Sequence, residues 1–390
     1  RARLVDGSLV VGPVGAVRAG DVLRHTTEDP QAALEAAAGR LDPGGGVLLQ
    51  VVRLPRRLLV VVHHLAVDGV SWRILLGDLA AAARGAAMAP VGTSVRAWAS
   101  GLATVDRESE RPLWDAVLAG ADPMLGARRL DPAVDVMSTV DTVRVEVEPQ
   151  IAAAVLGGLA AAQHAGVDEI LLAALALAAA RWRRERGVDE PALLVAVEGH
   201  GRAEHLVPGA DLSRTVGWFT SRFPARLDLG ALDLAVELSA VDGPTAVAAL
   251  RAVKAQMRTL PDAGIGHGLL HGGRLDPAPQ VGFSYLGRMP APDGDWSLAP
   301  ELGGLCGTVD PGQPAAAVVD VVALARDTPQ GPRLDAGWSF PAGVLDAADV
   351  RRFAALWRDA LGALAAGAAP ELAGRSPADL PLVGADQAEV

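Results

Sequence analysis

The sequence predicts an α/β fold that is divided into two lobes. A chain of 390 residues exceeds one ordinary hydrophobic core, and half of its residues are hydrophobic, with few aromatics among them. Runs typical of covered strands alternate with runs typical of helices. Two of these strands, residues 58–62 and 193–197, are followed at once by titratable side chains. Each lobe is therefore expected to present acid/base groups at a strand end.

The composition narrows the classes of partner and compartment. The formal net charge of −11 argues against nucleic acid and against an anionic membrane as the main partner. Cys306 is the only cysteine, so we expect no disulfide framework and no thiolate-rich metal site, and a reducing cytoplasm is the expected location. No apolar run has the length and purity of a membrane span, and both ends resemble cuts from a longer polypeptide.

The first lobe is expected over residues 1–120 and a linker over 121–138, where Asp, Pro, Gly and Arg occur without periodicity. Apolar alternation predicts strands at 1–10, 47–53 and 58–63. Apolar stripes predict helices at 30–39, 71–84, 95–103 and 111–119, with Ser71 as a helix cap and Trp98 and Trp114 as packing anchors.

The second lobe is expected over residues 139–375, with a Pro-rich linker at 376–390. Its predicted strands are 139–147, 193–197, 315–324 and 334–340. Its predicted helices are 150–164, 168–186 and 346–364, of which 168–186 is apolar nearly all round and is expected at the centre.

A pair of histidines marks the end of the first strand, in the sequence HHLAVDGVSW from His63 to Trp72. Neighbours on a strand point to opposite faces, so only one of His63 and His64 can face a given cleft. Two half-buried structural histidines are the alternative interpretation. The following Asp68 and Gly69 indicate a turn before a helix.

Three further segments carry polar or glycine-rich chemistry. In EGHGR, Glu198 follows a covered strand, where desolvation can raise the pKa of a carboxyl, although a solvated turn is the alternative. RTVGWFT begins at Arg214, and its Trp218 and Phe219 are expected to be mostly core. PDAGIGHG at 261–268 lacks the context of a nucleotide-binding loop. His63, His64 and His200 lack the spacing of a zinc site, so no metal is expected.

These motifs resemble those of the condensation and epimerization domains of nonribosomal peptide synthetases. HHxxxDG is shared by both kinds of domain, whereas EGHGR and RTVGWFT resemble the epimerization type. PDAGIGHG is similar to the family segment PxxGxGYG, with His267 at the tyrosine position, and FSYLG is similar to FNYLG, with Ser284 in place of asparagine. The resemblance implies a two-lobed chloramphenicol-acetyltransferase-like pseudo-dimer whose N-terminal lobe lacks its first segment here.

The resemblance also implies an activity: inversion at Cα of an aminoacyl or peptidyl thioester. His64 and Glu198 would be the acid/base pair. The motif residues His63, Asp68, Gly69, Arg202 and Arg214 would support them, and Ser284, Tyr285, Gly266 and His267 are candidates for positioning the substrate or its enolate. The chain would need no cofactor of its own, because a peptidyl or acyl carrier domain supplies 4'-phosphopantetheine, and neighbouring synthetase modules would be its other partners.

Three other functions remain open from the sequence. A condensation domain shares HHxxxDG but is not expected to carry EGHGR and RTVGWFT. A catalytically silent homologue that docks a partner is conceivable because of Ser284, although His64, Asp68 and Glu198 are intact. A free-standing acyltransferase that uses coenzyme A would require neither of the two epimerization-type motifs.

Overall fold

A computed structural model describes residues 2–230, 232, 243–289, 296, 299 and 309–380. The described residues fall into two compact units: unit 1 contains mainly residues 2–105 and 202–220, and unit 2 contains mainly 106–201, 221–230, 243–289 and 311–380. These boundaries differ from the predicted lobes in two places. The expected linker 121–138 lies within unit 2, and the segment that carries RTVGWFT belongs to unit 1.

Unit 1 contains two small sheets. Strands β1 (Ala2–Val5) and β2 (Ser8–Val11) form a hairpin, and a second sheet has the order β3 (Leu23–His25), β4 (Leu49–Leu54), β5 (Arg57–Val62). Its helices are α1 (Ala19–Val22), α2 (Pro30–Ala38), α3 (Gly69–Ala83) and α4 (Val95–Leu102). The predicted hairpin is confirmed, since β4 and β5 pair antiparallel.

Strand β5 is not fully covered, which corrects the expectation for residues 58–62. Val61 is buried in a cluster with residues of α2. On the opposite face, Leu58, Val60 and Val62 line an open apolar cavity of about 270 Å³. The alternation of a strand therefore separates one packed face from one accessible face, although every residue of the run is apolar.

Unit 2 is built on a six-stranded sheet with the order β6-β11-β10-β9-β7-β8. The strands are β6 (Val140–Glu146), β7 (Ala192–Gly199), β8 (Ser221–Asp228), β9 (Val281–Met289), β10 (Val319–Thr328) and β11 (Gly331–Pro341). Strand β9 runs parallel to both β7 and β10, and the other pairs are antiparallel.

The helices of unit 2 are α5 (Arg111–Leu118), α6 (Pro149–Ala153), α7 (Ala160–Ala162), α8 (Val167–Arg184), α9 (Gly243–Thr259), α10 (Ile265–His271) and α11 (Ala347–Ala366). A π-helical turn, Ala154–Leu159, joins α6 to α7. Helix α8 is buried nearly all round, as its composition predicts. Trp114 on α5 is fully buried, and Trp98 in unit 1 is 4% exposed, so both act as packing anchors.

The two faces of the six-stranded sheet differ in polarity. Alternate residues, including Val197, Phe223, Phe283 and Val321, belong to the large core cluster. Because neighbours on a strand point to opposite faces, the residues between them lie on the other face, which carries polar side chains. No helix of the described residues has the length and apolar character needed to cross a membrane.

The beginning of the expected C-terminal linker is anchored to unit 2. Asp379 accepts hydrogen bonds from the fully buried Lys254 at 2.8 Å and from Arg258 at 2.5 Å. The backbone N–H of Ser376 donates to the same carboxylate at 2.7 Å. Residues 376–379 are therefore part of the packed structure, and residues 381–390 lie outside the described part of the chain.

We expect Asp379→Asn to lower the free energy of unfolding by about 3–5 kcal/mol, because the fully buried Lys254 loses the carboxylate that it contacts at 2.8 Å. Burial alone would raise the pKa of Asp379, but the hydrogen bonds from Lys254, Ser376 and Arg258 lower it below its ordinary value. Its contribution to stability is therefore present at neutral pH and is lost as the pH falls below about 4. Urea unfolding from pH 7 to pH 3 measures this, and a stability difference between wild type and variant that does not shrink on acidification would contradict it.

Candidate active site

The two histidines follow the end of β5. The strand ends at Val62, and His64 opens a short 3-10 turn, His64–Ala66, so the opposite-face rule of a strand does not apply to the pair. His63 is half-buried, and its Nδ1 accepts a hydrogen bond from the N–H of Leu65 at 3.2 Å. Burial and then the neighbouring His64 lower the pKa of His63. The side chain of His64 is exposed, so the two histidines still have different environments.

Asp68 is the buried centre of the histidine motif. Its carboxylate accepts from the N–H of Ser71 at 2.7 Å and so caps α3, which corrects the expectation that Ser71 is the cap. It also accepts from Arg202 at 3.0 and 3.2 Å and from the N–H of Phe219 at 3.2 Å. Gly69 is the first residue of α3, with open space beside its Cα. Asp68, in the HHxxxDG motif, is thus bonded to Arg202 of EGHGR and to Phe219 of RTVGWFT, all within unit 1.

Ser71 and Arg202 make further buried hydrogen bonds beside Asp68. The hydroxyl of Ser71, which is fully buried, donates to the carbonyl of Gly217 at 2.9 Å and accepts from the N–H of Gly217 at 3.0 Å. Arg202 donates to the carbonyls of Leu212 and Thr215 at 3.0 and 2.7 Å. These bonds explain why residues 202–220 belong to unit 1, since their backbone is bonded to the start of α3.

Arg214, in the RTVGWFT segment, forms an ion pair at 2.9 Å with Asp78, which lies further along α3 than Asp68 and Ser71. Both side chains are about one third exposed. This pair therefore holds the RTVGWFT segment on the same helix, but it is solvated and weaker than the buried pair of Asp68 with Arg202.

Trp218 is a residue that the sequence interpretation misplaced. Phe219 is buried, as expected for a core residue, and the centroid of its ring lies 4.1 Å from Cζ of Arg202. Trp218 is instead 50% exposed, and its ring stands edge-on to the ring of His64, with centroids 5.1 Å apart. Because Gly217 and Phe219 are fixed by buried bonds, the backbone turns the indole toward solvent. The HHxxxDG and RTVGWFT motifs therefore meet at His64.

Glu198 is the second predicted acid/base residue, and it lies in unit 2 near the end of β7. Its side chain is exposed, which corrects the expectation that burial of the strand would desolvate it. Ser284 on β9 is 7% exposed, and its hydroxyl donates to Oε2 of Glu198 at 2.7 Å. The serine that replaces the family's asparagine is thus a direct partner of the carboxylate and fixes its orientation.

Tyr285, the neighbour of Ser284, lies on the other face of β9 and packs against the core cluster of unit 2.

His267 is fully buried on α10, with its ring centroid 5.3 Å from that of Trp114 and 4.6 Å from that of His271. Burial and then the charge of His271 lower the pKa of His267 to about 4, so it is neutral near pH 7. Of the four residues predicted to position substrate, only Ser284 is shown bonded to Glu198.

Gly266 packs against the side chain of Glu110, whose carboxylate would overlap a Cβ at this position. A neighbouring part of the glycine-rich segment does reach the end of β7: a Cβ on Gly199 would lie 3.1 Å from Cβ of Ala263, and the Ser221 hydroxyl donates to the Ala263 carbonyl at 2.8 Å. The segment therefore supports the EGHGR turn through its first half and the core through its second half.

The predicted acid/base residues are an imidazole and a carboxylate. Across the described ranges, no three or more His, Cys, Asp or Glu side chains are grouped in a way that could hold a metal ion. Among the motif residues, unit 1 presents the exposed imidazole of His64 beside Trp218, and unit 2 presents the exposed carboxylate of Glu198 bonded to Ser284. An imidazole and a carboxylate are the groups that proteins most often use for proton transfer.

Comparison with known structures identifies the fold. The epimerization domain from the third module of tyrocidine synthetase B has a TM-score of 0.76 at 23% identity, covering 95% of this chain and 85% of that one. The X-domain from teicoplanin biosynthesis has a TM-score of 0.61 at 21% identity, covering 94% and 83%. These similarities confirm the predicted α/β fold class of the chloramphenicol-acetyltransferase-like type.

Comparison of sequences identifies the family. A linear gramicidin synthase protein of Brevibacillus parabrevis is 33% identical over 398 residues, covering 93% of this chain and 5% of that protein. Chondramide synthase cmdD of Chondromyces crocatus is 36% identical over 343 residues, covering 77% and 8%. The chain thus spans only a small part of these relatives. Residues 47–275 match the family model described as Condensation domain. The chain belongs to the condensation domain family.

Proposed function

We propose that this chain epimerizes an aminoacyl or peptidyl thioester at Cα. The observation that carries the proposal is the occurrence of two accessible acid/base side chains, His64 and Glu198, each fixed by a partner within its own unit. The hydrogen on the carbon next to a thioester carbonyl is acidic enough to be removed by such groups. Inversion is simplest with one group on each face of the planar intermediate.

In the proposed reaction one proton is removed from Cα and another is delivered to its opposite face. The first group takes the α-proton, and the C–H electron pair moves into the carbonyl to give an enolate. The second group then delivers its proton to the opposite face of Cα, and the electrons return to re-form the carbonyl. The two groups thereby exchange protonation states, and donors around the enolate oxygen lower the barrier. The proposal requires both side chains to reach the same Cα.

The motifs support the epimerization assignment. EGHGR supplies both Glu198 and Arg202, and RTVGWFT supplies Trp218, the ring neighbour of His64. The proposed partner is a peptidyl or acyl carrier domain, whose 4'-phosphopantetheine carries the substrate, so the chain adds no cofactor of its own. Neighbouring synthetase modules are its other proposed partners, and the cytoplasm is the proposed location.

Condensation is the second candidate function, and the family match itself favours it. The two functions separate in one assay in D₂O, on a carrier domain loaded with a panel of L-aminoacyl and peptidyl thioesters that end in small, aliphatic or aromatic L residues. Deuterium at Cα together with the D enantiomer supports epimerization. Amide formation with a second loaded carrier supports condensation. Absence of both reactions over the panel would overturn the proposed activity in favour of a docking homologue.

We expect Trp218→Ala to reduce the exchange rate about tenfold, because His64 loses the ring that limits its orientation. The unfolding free energy should change by less than about 1 kcal/mol, since the indole is half exposed. Deuterium exchange and thermal unfolding measure the two effects. Met88→Ala, which also removes an exposed apolar side chain from unit 1, is the matched control. Equal exchange rates in the two variants would show that Trp218 does not position His64.

A further inference from the structure

Asp320 is an ionisable residue on the polar face of the unit 2 sheet that the proposed reaction does not use. The parallel register of β9 and β10 pairs Asp320 with Gly282. Ser284, which donates to Glu198, lies two residues further along β9 and therefore on the same face as Gly282. In the antiparallel register of β7 and β8, Glu198 is opposite Arg222. One sheet face thus carries Arg222, Glu198, Ser284 and Asp320 on four consecutive strands.

Gly282 gives Asp320 access toward Glu198. A Cβ placed on Gly282 would overlap Oδ1 of Asp320, so the carboxyl occupies space that any other residue would fill. The side chain of Asp320 therefore leans across β9, and the next strand beyond β9 is β7, which carries Glu198. The absence of a side chain at position 282 therefore leaves room for the Asp320 carboxyl over β9, on the side of β10 that faces β7.

The electrostatics agree with this placement. Burial first, and then the charge of Glu198, raise the pKa of Asp320, while Arg222 acts in the opposite direction. The residues that flank Asp320 on β9 and β11, Gly282 and Ser339, carry no charge. Glu198 on β7 is thus the acidic group, and Arg222 on β8 the basic group, that act on Asp320 across the sheet.

We propose that Asp320 is the second carboxyl group of the Glu198 site and acts as a positioning residue through Glu198. Burial and the negative charge of Glu198 both favour the protonated form of Asp320, so Asp320 retains its proton to a higher pH than an ordinary aspartate. The consequence for catalysis depends on the proposed epimerization, because a retained proton is what one side of an inverting pair must deliver. The existence of the coupled pair does not depend on it.

The pair itself is tested by titration without any substrate. Protein labelled with ¹³C at the aspartate carboxyl carbons is titrated by NMR, and the Asp320 signal is identified by its loss in Asp320→Asn, or in Asp320→Glu if that variant does not fold. We expect the Asp320 midpoint to move to lower pH in Glu198→Gln, where the neighbouring negative charge is absent. An identical midpoint in both proteins would overturn the inference, whatever the activity.

The positioning role is tested by the pH profile of Cα deuterium exchange on the loaded carrier. We expect Asp320→Asn to displace the acidic limb of the profile, because the ionisation of Asp320, whose pKa is raised by the charge of Glu198, is then absent. Asp335→Asn, on the same sheet face but bonded to Arg326, is the matched control and should leave the profile unchanged. A coupled titration with an unmoved profile would overturn the role of Asp320 in the reaction. If the Asp320 midpoint does depend on Glu198 but the wild-type protein shows no deuterium exchange at Cα, the proposed function is contradicted and the carboxyl pair is not.

Discussion

Glu198→Gln is expected to reduce inversion at Cα by about 10²- to 10⁴-fold, which is the usual contribution of a positioned acid/base group. The amide keeps the size of the side chain and can still bond Ser284, so the fold and the bond across β7 and β9 should persist. His64→Ala is expected to have an effect of the same size. Chiral analysis of the product released from the carrier measures inversion, and thermal unfolding checks the fold.

Deuterium uptake distinguishes the roles of the two groups. A variant that incorporates deuterium without inverting the centre retains the group that removes the proton and has lost the group that delivers it. Glu146→Gln, at the exposed edge of the same sheet and paired with Arg333, is the control and should keep the wild-type rate. A Glu198→Gln protein with wild-type inversion would remove Glu198 from the reaction.

Asp68→Ala is expected to lower the free energy of unfolding by about 3–5 kcal/mol, because the buried guanidinium of Arg202 loses the carboxylate that it contacts at 3.0 and 3.2 Å. The same substitution removes the cap of α3, a loss of about 1 kcal/mol within that total. Urea unfolding measures the change. Any loss of activity should follow the loss of folded protein, since the carboxylate is 4% exposed and its known bonds go to unit 1 itself.

Asp78→Ala provides the matched control for Asp68→Ala. It also removes a carboxylate that pairs with an arginine in unit 1, but its partner, Arg214, is about one third exposed. The expected loss is at most about 1 kcal/mol, as for a solvated ion pair. An Asp68→Ala protein of wild-type stability that has selectively lost turnover would show that Asp68 takes part in the chemistry.

Local sequence signals predicted much of the fold. The hairpin of β4 and β5, the helix α3 and the buried α8 follow from runs of apolar residues with the right period. The division into units could not be predicted in the same way. It depends on the bonds of Arg202 and Gly217 to Asp68 and Ser71, residues more than a hundred positions earlier in the chain.

The candidate site shows the same limit. His64, Glu198 and Asp68 could be selected from motifs, but the bond between Glu198 and Ser284 depends on the parallel register of β7 and β9, which periodicity does not reveal. The exposure of Trp218 depends on the buried bonds of Gly217 and Phe219 on either side of it, which the sequence does not reveal. Its aromatic character alone suggested a core residue.

The chain leaves unit 2 after Gly201 and returns at Ser221, and the residues just inside these points, Gly199 and Ser221, are partners in the β7–β8 ladder. Residues 202–220 are therefore an insertion between the paired strands β7 and β8, similar to a short inserted domain. A fragment that stopped at Val105 would lack the backbone and the guanidinium that satisfy Asp68 and Ser71. Neither unit can be expressed intact as one uninterrupted fragment, so studying them separately would require linkers that join the segments of each unit, or a split protein.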